Sequence, residues 1–165
     1  MKRIMIGAAM LGAISLAHAD TAKDGMVSVK AGMWNWEQST KIMGLFSSDE
    51  QNLECLIPPK AEMTLSRLAY DLDEGCTVDD VVPVNEGYNF TLICKGDVSG
   101  KAAANISASP ESLQIRAKGN ARWGIITAGL QMNADATYMG DCPADEFARQ
   151  VEKWNEENPD EPYTP

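Results

Sequence analysis

The chain has 165 residues, of which 14 are basic and 24 acidic, so its formal net charge is −10. A surface of this sign repels nucleic acid and anionic lipid head groups, and we expect no nucleic-acid partner. The length suits a single domain with a real hydrophobic core.

The first nineteen residues have the layout of a secretory signal peptide and are expected to lie outside the fold. A positive start, MKR, precedes an apolar run, and Ala17-His18-Ala19 is a small-x-small cleavage site. The apolar run is too short for a bilayer span, which takes ~20 residues. We therefore expect cleavage after Ala19, a mature chain without a membrane span, and a periplasmic or secreted location.

Cleavage at this position removes the chain's one histidine, His18. Ser-His-Asp and Cys-His catalysis and His-ligated metal sites then have no residue to carry them. Paired carboxylates can hydrolyse glycosides, but no spacing singles out one pair among so many acids. The sequence therefore predicts a non-catalytic protein without a cofactor.

Four cysteines, Cys55, Cys76, Cys94 and Cys142, predict two disulfides in an exported chain. A zinc site with four cysteine ligands is the alternative, which the absence of close CxxC pairs disfavours. Residues 76–94 read as a β-hairpin, whose register pairs Cys76 with Cys94 and leaves Cys55 for Cys142.

The register of this hairpin follows if its turn centres on Asn85. Because side chains alternate along a strand, one face of the ribbon then holds apolar residues and a single polar residue, Asp80. The expected pairs besides the cysteines are Val78 with Leu92, Val82 with Tyr88, and Asp80 with Phe90.

Upstream of the hairpin, residues 20–31 read as a polar lead-in and residues 32–43 as a half-buried strand. The inner face of that strand holds Trp34 and Trp36, which together with Phe90 are candidate ligand-binding aromatics. Such a tryptophan pair is more often part of the core. Residues 44–52 read as a loop, and a short strand follows at 53–57.

Pro58-Pro59 interrupts the sheet, and apolar residues at helical spacing over 61–72 predict an amphipathic helix that covers it. Acids crowd the segment after this helix. Hard cations such as Ca²⁺ take clustered carboxylates, so Asp71, Asp73 and Asp79 are candidate metal ligands. A solvated acidic edge is the plainer interpretation.

Residues 101–120 predict a second hairpin with its turn at Pro110-Glu111. Apolar residues pair with apolar ones throughout this register, as in Ile106 with Ile115 and Ala104 with Ala117. The inner face of the sheet is rich in alanine. These small side chains indicate a close approach, either by the covering helix or by a bound molecule, with the helix the plainer answer.

The last elements are a long strand at 130–138 and, after Pro143, a helix at 144–155. The acidic, proline-rich residues 156–165 predict disorder. The whole pattern predicts a mainly β fold, an antiparallel meander of about six to eight strands that curls into a barrel-like or sandwich sheet. One helix covers this 20–143 domain, and a helical extension at 144–165 follows it.

Several short motifs, in this order and spacing, resemble the exported bacterial domain-of-unknown-function family numbered 3617. The resemblance spans roughly residues 30 to 143. It implies an exported bacterial β-domain, and it carries no activity and no catalytic residues. The motifs are Gly32-Met33-Trp34, Cys55-Leu56, Cys76, Cys94-Lys95-Gly96 and Gly140-Asp141-Cys142.

Two functions from different classes fit this chain. The first is an exported, non-catalytic envelope protein that binds a small apolar molecule under its sheet. The alternative is a structural or envelope-stress protein that acts through surface contacts with another protein. An apolar cavity under the sheet favours the first, and a solid core with an exposed apolar patch favours the second.

Overall fold

The computed structural model describes residues 24–43, 45–72, 74–96 and 99–165. The predicted signal peptide lies outside the described residues. The elements in chain order are β1 (Met26–Ser28), β2 (Gly32–Ile42), β3 (Phe46–Leu56), α1 (Pro58–Ala61), β4 (Glu62–Thr64), α2 (Leu65–Leu72), β5 (Cys76–Val84), β6 (Gly87–Cys94), β7 (Ser99–Ser109), β8 (Ser112–Trp123), β9 (Ile126–Gly140) and α3 (Ala144–Glu157).

Seven strands form one antiparallel sheet in the order β3-β2-β9-β8-β7-β6-β5. The predicted mainly β, antiparallel architecture is confirmed. The sheet stays open, because its edge strands β3 and β5 do not pair with each other, so the barrel-like alternative is wrong. A thin second layer of β1, β4 and the first two helices lies over one face, and this gives the fold its sandwich-like character.

Alternation along the strands separates the two faces of the sheet. The covered face holds the main core, in which Trp34, Leu56, Ile106 and Leu113 are almost completely buried. A second, smaller cluster on the same face joins Ala102, Ala104 and Ala117 beneath Phe90 and Met132. The other face carries polar and charged side chains. Phe90 and Met132, rather than the covering helix, therefore fill the space over this part of the alanine-rich surface.

The covering layer begins earlier than its sequence suggests. Residues 20–31 read as a polar lead-in, but β1 lies within them and pairs with β4 in a two-stranded ribbon. The helix expected over 61–72 is also wrong in its first half, because residues 62–64 are that ribbon's second strand and α2 begins at Leu65. Asp24 accepts hydrogen bonds from the backbone and side chain of Ser66, which ties the start of the ribbon to α2.

The hairpin of β7 and β8 has the predicted register along its whole length, with Ala108 opposite Leu113 and Ile106 opposite Ile115. The hairpin of β5 and β6 keeps the predicted register only from Cys76 to Asp79. The register then shifts at a bulge, where Asp80 has a φ of 52°. Val82 therefore lies opposite Asn89 and not opposite Tyr88 as predicted, because the bulge adds one residue to β5 and shifts the register by one.

The loop expected at 44–52 is wrong, because β3 starts at Phe46 and pairs with β2 over its full length. Its polar residues gave no apolar alternation from which a strand could be read. Both predicted disulfides are confirmed, with Sγ–Sγ distances of 2.03 Å for Cys55–Cys142 and 1.97 Å for Cys76–Cys94. The first bond links edge strand β3 to the end of β9, with β2 lying between them.

The C-terminal helix is confirmed, and α3 extends to Glu157. Its composition indicated a disordered tail, whereas the structure folds residues 158–163 back onto the helix. The Asn155 amide donates to the Tyr163 carbonyl and accepts from the Tyr163 N–H, and the Trp154 indole donates to the Glu161 carbonyl. None of the described helices has the length and apolar character needed to cross a membrane.

Candidate functional site

A cavity of about 680 Å³ lies between the covered face of the sheet and the thin layer above it. Its floor comes from alternate residues of β2, β3, β8 and β9, and its roof from the ribbon and the first two helices. The apolar lining residues are Trp36, Leu56, Leu113, Ile115, Met132 and Ala134 in the floor, Val27, Val29, Pro59, Ala61, Met63 and Leu68 in the roof, and Trp154 of α3 at the side.

The cavity exists because the layer above the sheet is thin. The ribbon strands β1 and β4 have three residues each, and α1 has four. Ala134 of β9 is small, so the floor does not rise to meet this roof. Ala136 is packed in the main core, whereas Ala134 lines the cavity. The alanine-rich strand is therefore covered in part by protein and in part by cavity.

One buried polar atom lies in this apolar surrounding. The Trp36 indole nitrogen is inaccessible to solvent and has no hydrogen-bond acceptor among the described residues. Leaving a buried N–H without an acceptor costs about 1–3 kcal/mol. Trp36 also lines the cavity, so a molecule bound there would supply the missing acceptor only if the indole ring turned its N–H toward the cavity.

Charged side chains of both signs complete the cavity wall beside α3. The Arg67 guanidinium lies over the Trp154 ring, 5.9 Å from the ring centroid. The bases are Lys60 and Arg67, and the acids are Glu54, Glu62 and Glu161. Because acids slightly outnumber bases, this wall does not favour an anionic head group.

The roof is anchored at one end by Lys30. Its backbone N–H donates to the Pro110 carbonyl at 2.8 Å, and its carbonyl accepts the Trp34 indole N–H at 2.9 Å. Its amine lies 3.3 Å from a Glu111 carboxylate oxygen and 4.3 Å from the centroid of the Tyr138 ring. The hydrogen bond to Glu111 raises the pKa of the Lys30 amine above its ordinary value.

The three candidate aromatics lie in different environments. Trp34 is completely buried, its indole N–H is satisfied, and its ring packs edge-on against Tyr138 at 5.9 Å, so it is part of the core. Trp36 lines the cavity. Phe90 packs over the alanine cluster of β7 and β8 and lies outside the cavity lining.

Of the three candidate metal ligands, only the side chain of Asp79 lies in the part of the chain that the structure describes. Asp73 and the side chain of Asp71 lie outside the described residues. Asp79 is exposed, and its carboxylate accepts the Asp80 N–H at 2.9 Å. Among the described residues, no group of three or more His, Cys, Asp or Glu side chains could hold a metal ion.

The polar face of the sheet carries the acids that a carboxylate hydrolase would need. Glu37, Asp49 and Asp135 line a shallow depression there. Asp135 is engaged by the Arg116 guanidinium at 2.6 Å, and each partner is about two-fifths exposed. Exposed carboxylates in an open depression lack the enclosed, water-excluding setting in which catalytic acids are tuned.

Sequence reasoning found one cavity-lining tryptophan and the helical part of the roof, and it missed the β1–β4 ribbon. Val27, Val29 and Met63 lie in segments too short to show a strand period. A signal was present, because Val27 and Val29 stand on either side of Ser28, but two apolar residues are too few to distinguish a strand from a loop.

A protein-family model described as "Protein of unknown function (DUF3617)" matches residues 29–142, which is more than half of the chain. No curated protein and no solved structure matches the chain. The matched region includes the whole sheet and both disulfides, and it ends just before α3. The part of the cavity wall formed by Trp154 and Glu161 therefore lies outside the matched region.

Proposed function

The chain belongs to the DUF3617 family, and we propose that it is a non-catalytic binding protein whose cavity holds a small apolar molecule with one hydrogen-bond acceptor. The observation that carries this proposal is the cavity of about 680 Å³ under the sheet. Small-molecule sites typically measure ~300–1,000 Å³ and are lined mainly by apolar side chains with a few polar groups. The cavity fits this description in both size and lining.

The chemistry of the molecule follows from the lining. Apolar residues of the floor and roof favour a hydrocarbon body, since burying apolar surface gains ~25 cal/mol per Å². With its ring turned toward the cavity, the unpaired Trp36 N–H favours one acceptor on that body, such as an ester, ketone or ether oxygen. The mixed charges of Lys60, Arg67 and the three glutamates in the wall favour a neutral molecule over an anion.

We place this function in the periplasm or outside the cell. The signal-peptide pattern that ends at Ala19 supports export. Two disulfides also support it, because such bonds persist in oxidising compartments. An exported carrier of an apolar molecule needs neither a cofactor nor a catalytic group.

A matched pair of ligands tests both parts of the proposal by calorimetry. Methyl decanoate presents an acceptor, and the alkane of the same chain length does not. We expect both to bind, with the ester binding more tightly. Trp36→Phe keeps an apolar ring and removes the N–H. It should therefore weaken binding of the ester by about fivefold and leave binding of the alkane unchanged.

A second variant separates the cavity from the rest of the surface. Ala134→Leu adds a larger side chain to the cavity floor and should abolish binding of both ligands while the fold is kept. Ala103→Leu makes the same change on the exposed polar face of β7 and should leave binding intact. If neither ligand binds the unmodified protein, or if Ala134→Leu binds as well as Ala103→Leu, the proposal is wrong.

The alternative function, a structural or envelope-stress protein that works through surface contacts, is favoured by one observation. Large apolar side chains are exposed at one end of the sheet, and Ile125 is 98% exposed. Native mass spectrometry of gently purified protein distinguishes the two functions. A bound small mass supports the carrier, and a co-purifying protein on a chain without such a mass supports the alternative.

A further inference from the structure

We propose that the end of the sheet formed by the β2–β3 and β8–β9 turns docks on the surface of an anionic lipid bilayer. This docking end combines protruding apolar side chains with a cluster of cations on an otherwise acidic protein. The proposed docking does not depend on whether the cavity holds a ligand.

The apolar part of the docking end consists of two hairpin tips. In β9, Leu130 lies opposite Ile42 near the end of β2, and β9 begins four positions earlier at Ile126. The β8–β9 tip therefore projects ~13 Å beyond this pair at ~3.3 Å per residue. Five large apolar side chains here are more than half exposed: Met43, Leu45, Phe46, Ile125 and Ile126.

The cations lie on the polar face of the sheet, beside the β2–β3 turn and behind the longer β8–β9 tip. Lys41 and Lys118 both pair with Gln131, from opposite sides of β9. Lys101 pairs with Asn120, two positions beyond Lys118. The Arg122 guanidinium donates to the Gly124 carbonyl at 2.9 Å, which holds it at the β8–β9 tip next to Ile125.

Basic and acidic residues are concentrated in different parts of this protein. The sequences of β7 and β8 contain four cations and no acid. Residues 144–165, which contact the edge strand β3 and the cavity, contain seven acids and two bases. Charges farther apart than the Debye length, ~8 Å at physiological salt, are largely screened. The docking end therefore attracts anions although the whole chain is negative.

The shape of the docking end favours a bilayer as the occupant. A protein partner needs a complementary hollow for two protruding tips, whereas a fluid bilayer accommodates them without a preformed one. Apolar side chains enter the interface, and nearby cations contact anionic head groups, as in other peripheral proteins. Neutral lipid offers only the first of these two contributions, so the bilayer must be anionic.

Vesicle co-sedimentation tests this proposal on the form of the chain that the host accumulates, with its N-terminus fixed by mass spectrometry. Vesicles contain phosphatidylglycerol mixed with phosphatidylcholine, or phosphatidylcholine alone. We expect binding to the anionic vesicles that weakens as salt is raised. Lys101→Gln with Lys118→Gln should weaken it by about 25-fold, since each cation near the surface contributes about fivefold.

Two matched controls separate the docking end from general effects of charge and hydrophobicity. Arg149→Gln with Lys153→Gln removes the same charge from α3, where both side chains are exposed, and should leave binding unchanged. Ile125→Ser should weaken binding by at least fivefold. Leu53→Ser, at an exposed site on β3 away from the tips, should not weaken it.

Each outcome of these experiments either supports or overturns the docking proposal. All substituted side chains are exposed, and equal thermal midpoints would show that each variant is folded. Binding that falls in the docking-end variants and not in their controls supports the proposal. The proposal is overturned by no binding to anionic vesicles, by equal binding to neutral vesicles, or by equal losses in test and control variants. Capture of an acidic protein by a chain that ignores vesicles counts among the overturning results.

Discussion

Removal of the disulfide between Cys55 and Cys142 should destabilise the protein more than removal of the one between Cys76 and Cys94. The two bonds span sequence separations of 87 and 18. The shorter loop lies inside the longer one, so while the shorter bond is closed it removes 18 positions from the longer loop. The chain-entropy model then gives about 4.4 kcal/mol for Cys55–Cys142 and about 3.2 kcal/mol for Cys76–Cys94.

The fold gives the same order for a second reason. Cys76 and Cys94 are already opposite each other in the ladder of β5 and β6, so the hairpin holds them close without the bond. Cys55 lies on the edge strand β3, and its partner follows β9, two strands away. Among the described residues, Cys55–Cys142 is the only disulfide that ties β3 to the segment before α3.

Urea unfolding of two double variants measures the difference. Cys55→Ala with Cys142→Ala and Cys76→Ala with Cys94→Ala are compared with the parent chain, and thiol titration confirms that the other bond remains. For a slope of roughly 2 kcal/mol per molar urea, the midpoints should fall by about 2.2 M and about 1.6 M. A larger fall in the Cys76–Cys94 variant, or no fall in the other, would refute the reasoning.

Three further predictions follow from single features. Intact mass of the accumulated protein should give a chain that starts at Asp20, and a chain that starts at Met1 would contradict cleavage. Gly32→Ala should cost about 2–3 kcal/mol, because its φ is +144° and a Cβ would lie 2.4 Å from the Gly140 carbonyl oxygen. Gly124 has open space around it, so Gly124→Ala should lower the free energy of unfolding by only ~1 kcal/mol. Equal losses of stability in the two variants would show that the clash at Gly32 is not the cause. Glu111→Gln should lower the pKa of the Lys30 amine in an NMR titration, since the Glu111 hydrogen bond is the main cause that raises it.

The parts of the fold that could be predicted are those in which neighbouring residues constrain each other. The turn at Pro110-Glu111 and the apolar pairs on both sides of it determine the register of β7 and β8 without reference to the rest of the chain. The β5–β6 hairpin was predictable only up to Asp79. A bulge changes the register by one residue, and no residue type in this stretch requires one.

The missed elements owe their structure to distant partners. The first eight residues of β3, FSSDEQNL, are mostly polar and form a strand because β2 lies beside them. The expected helix was placed too early because Ala61 and Leu65 are both buried at helical spacing, although β4 lies between them. The cavity could not be predicted, since it depends on how thin the roof is. The cations of β7 and β8 were visible in the sequence, but their position beside the hairpin tips was not.

The cavity and the docking end share one stripe of the same sheet face. From Met132, which lines the cavity, β9 carries Leu130, Ala128 and Ile126 at alternate positions toward the tip. This stripe is about 20 Å long at ~3.3 Å per residue. An apolar molecule that crosses water exposes its whole surface at a cost of ~25 cal/mol per Å², whereas one that follows the stripe from a docked tip keeps the side in contact with the stripe out of water. Under the proposed function, the affinity for a ligand added from solution depends on the cavity and Trp36. Ile125→Ser should therefore slow the loading of ligand from anionic vesicles and leave that affinity unchanged, and a loss of affinity instead would mean that the tip is part of the binding site.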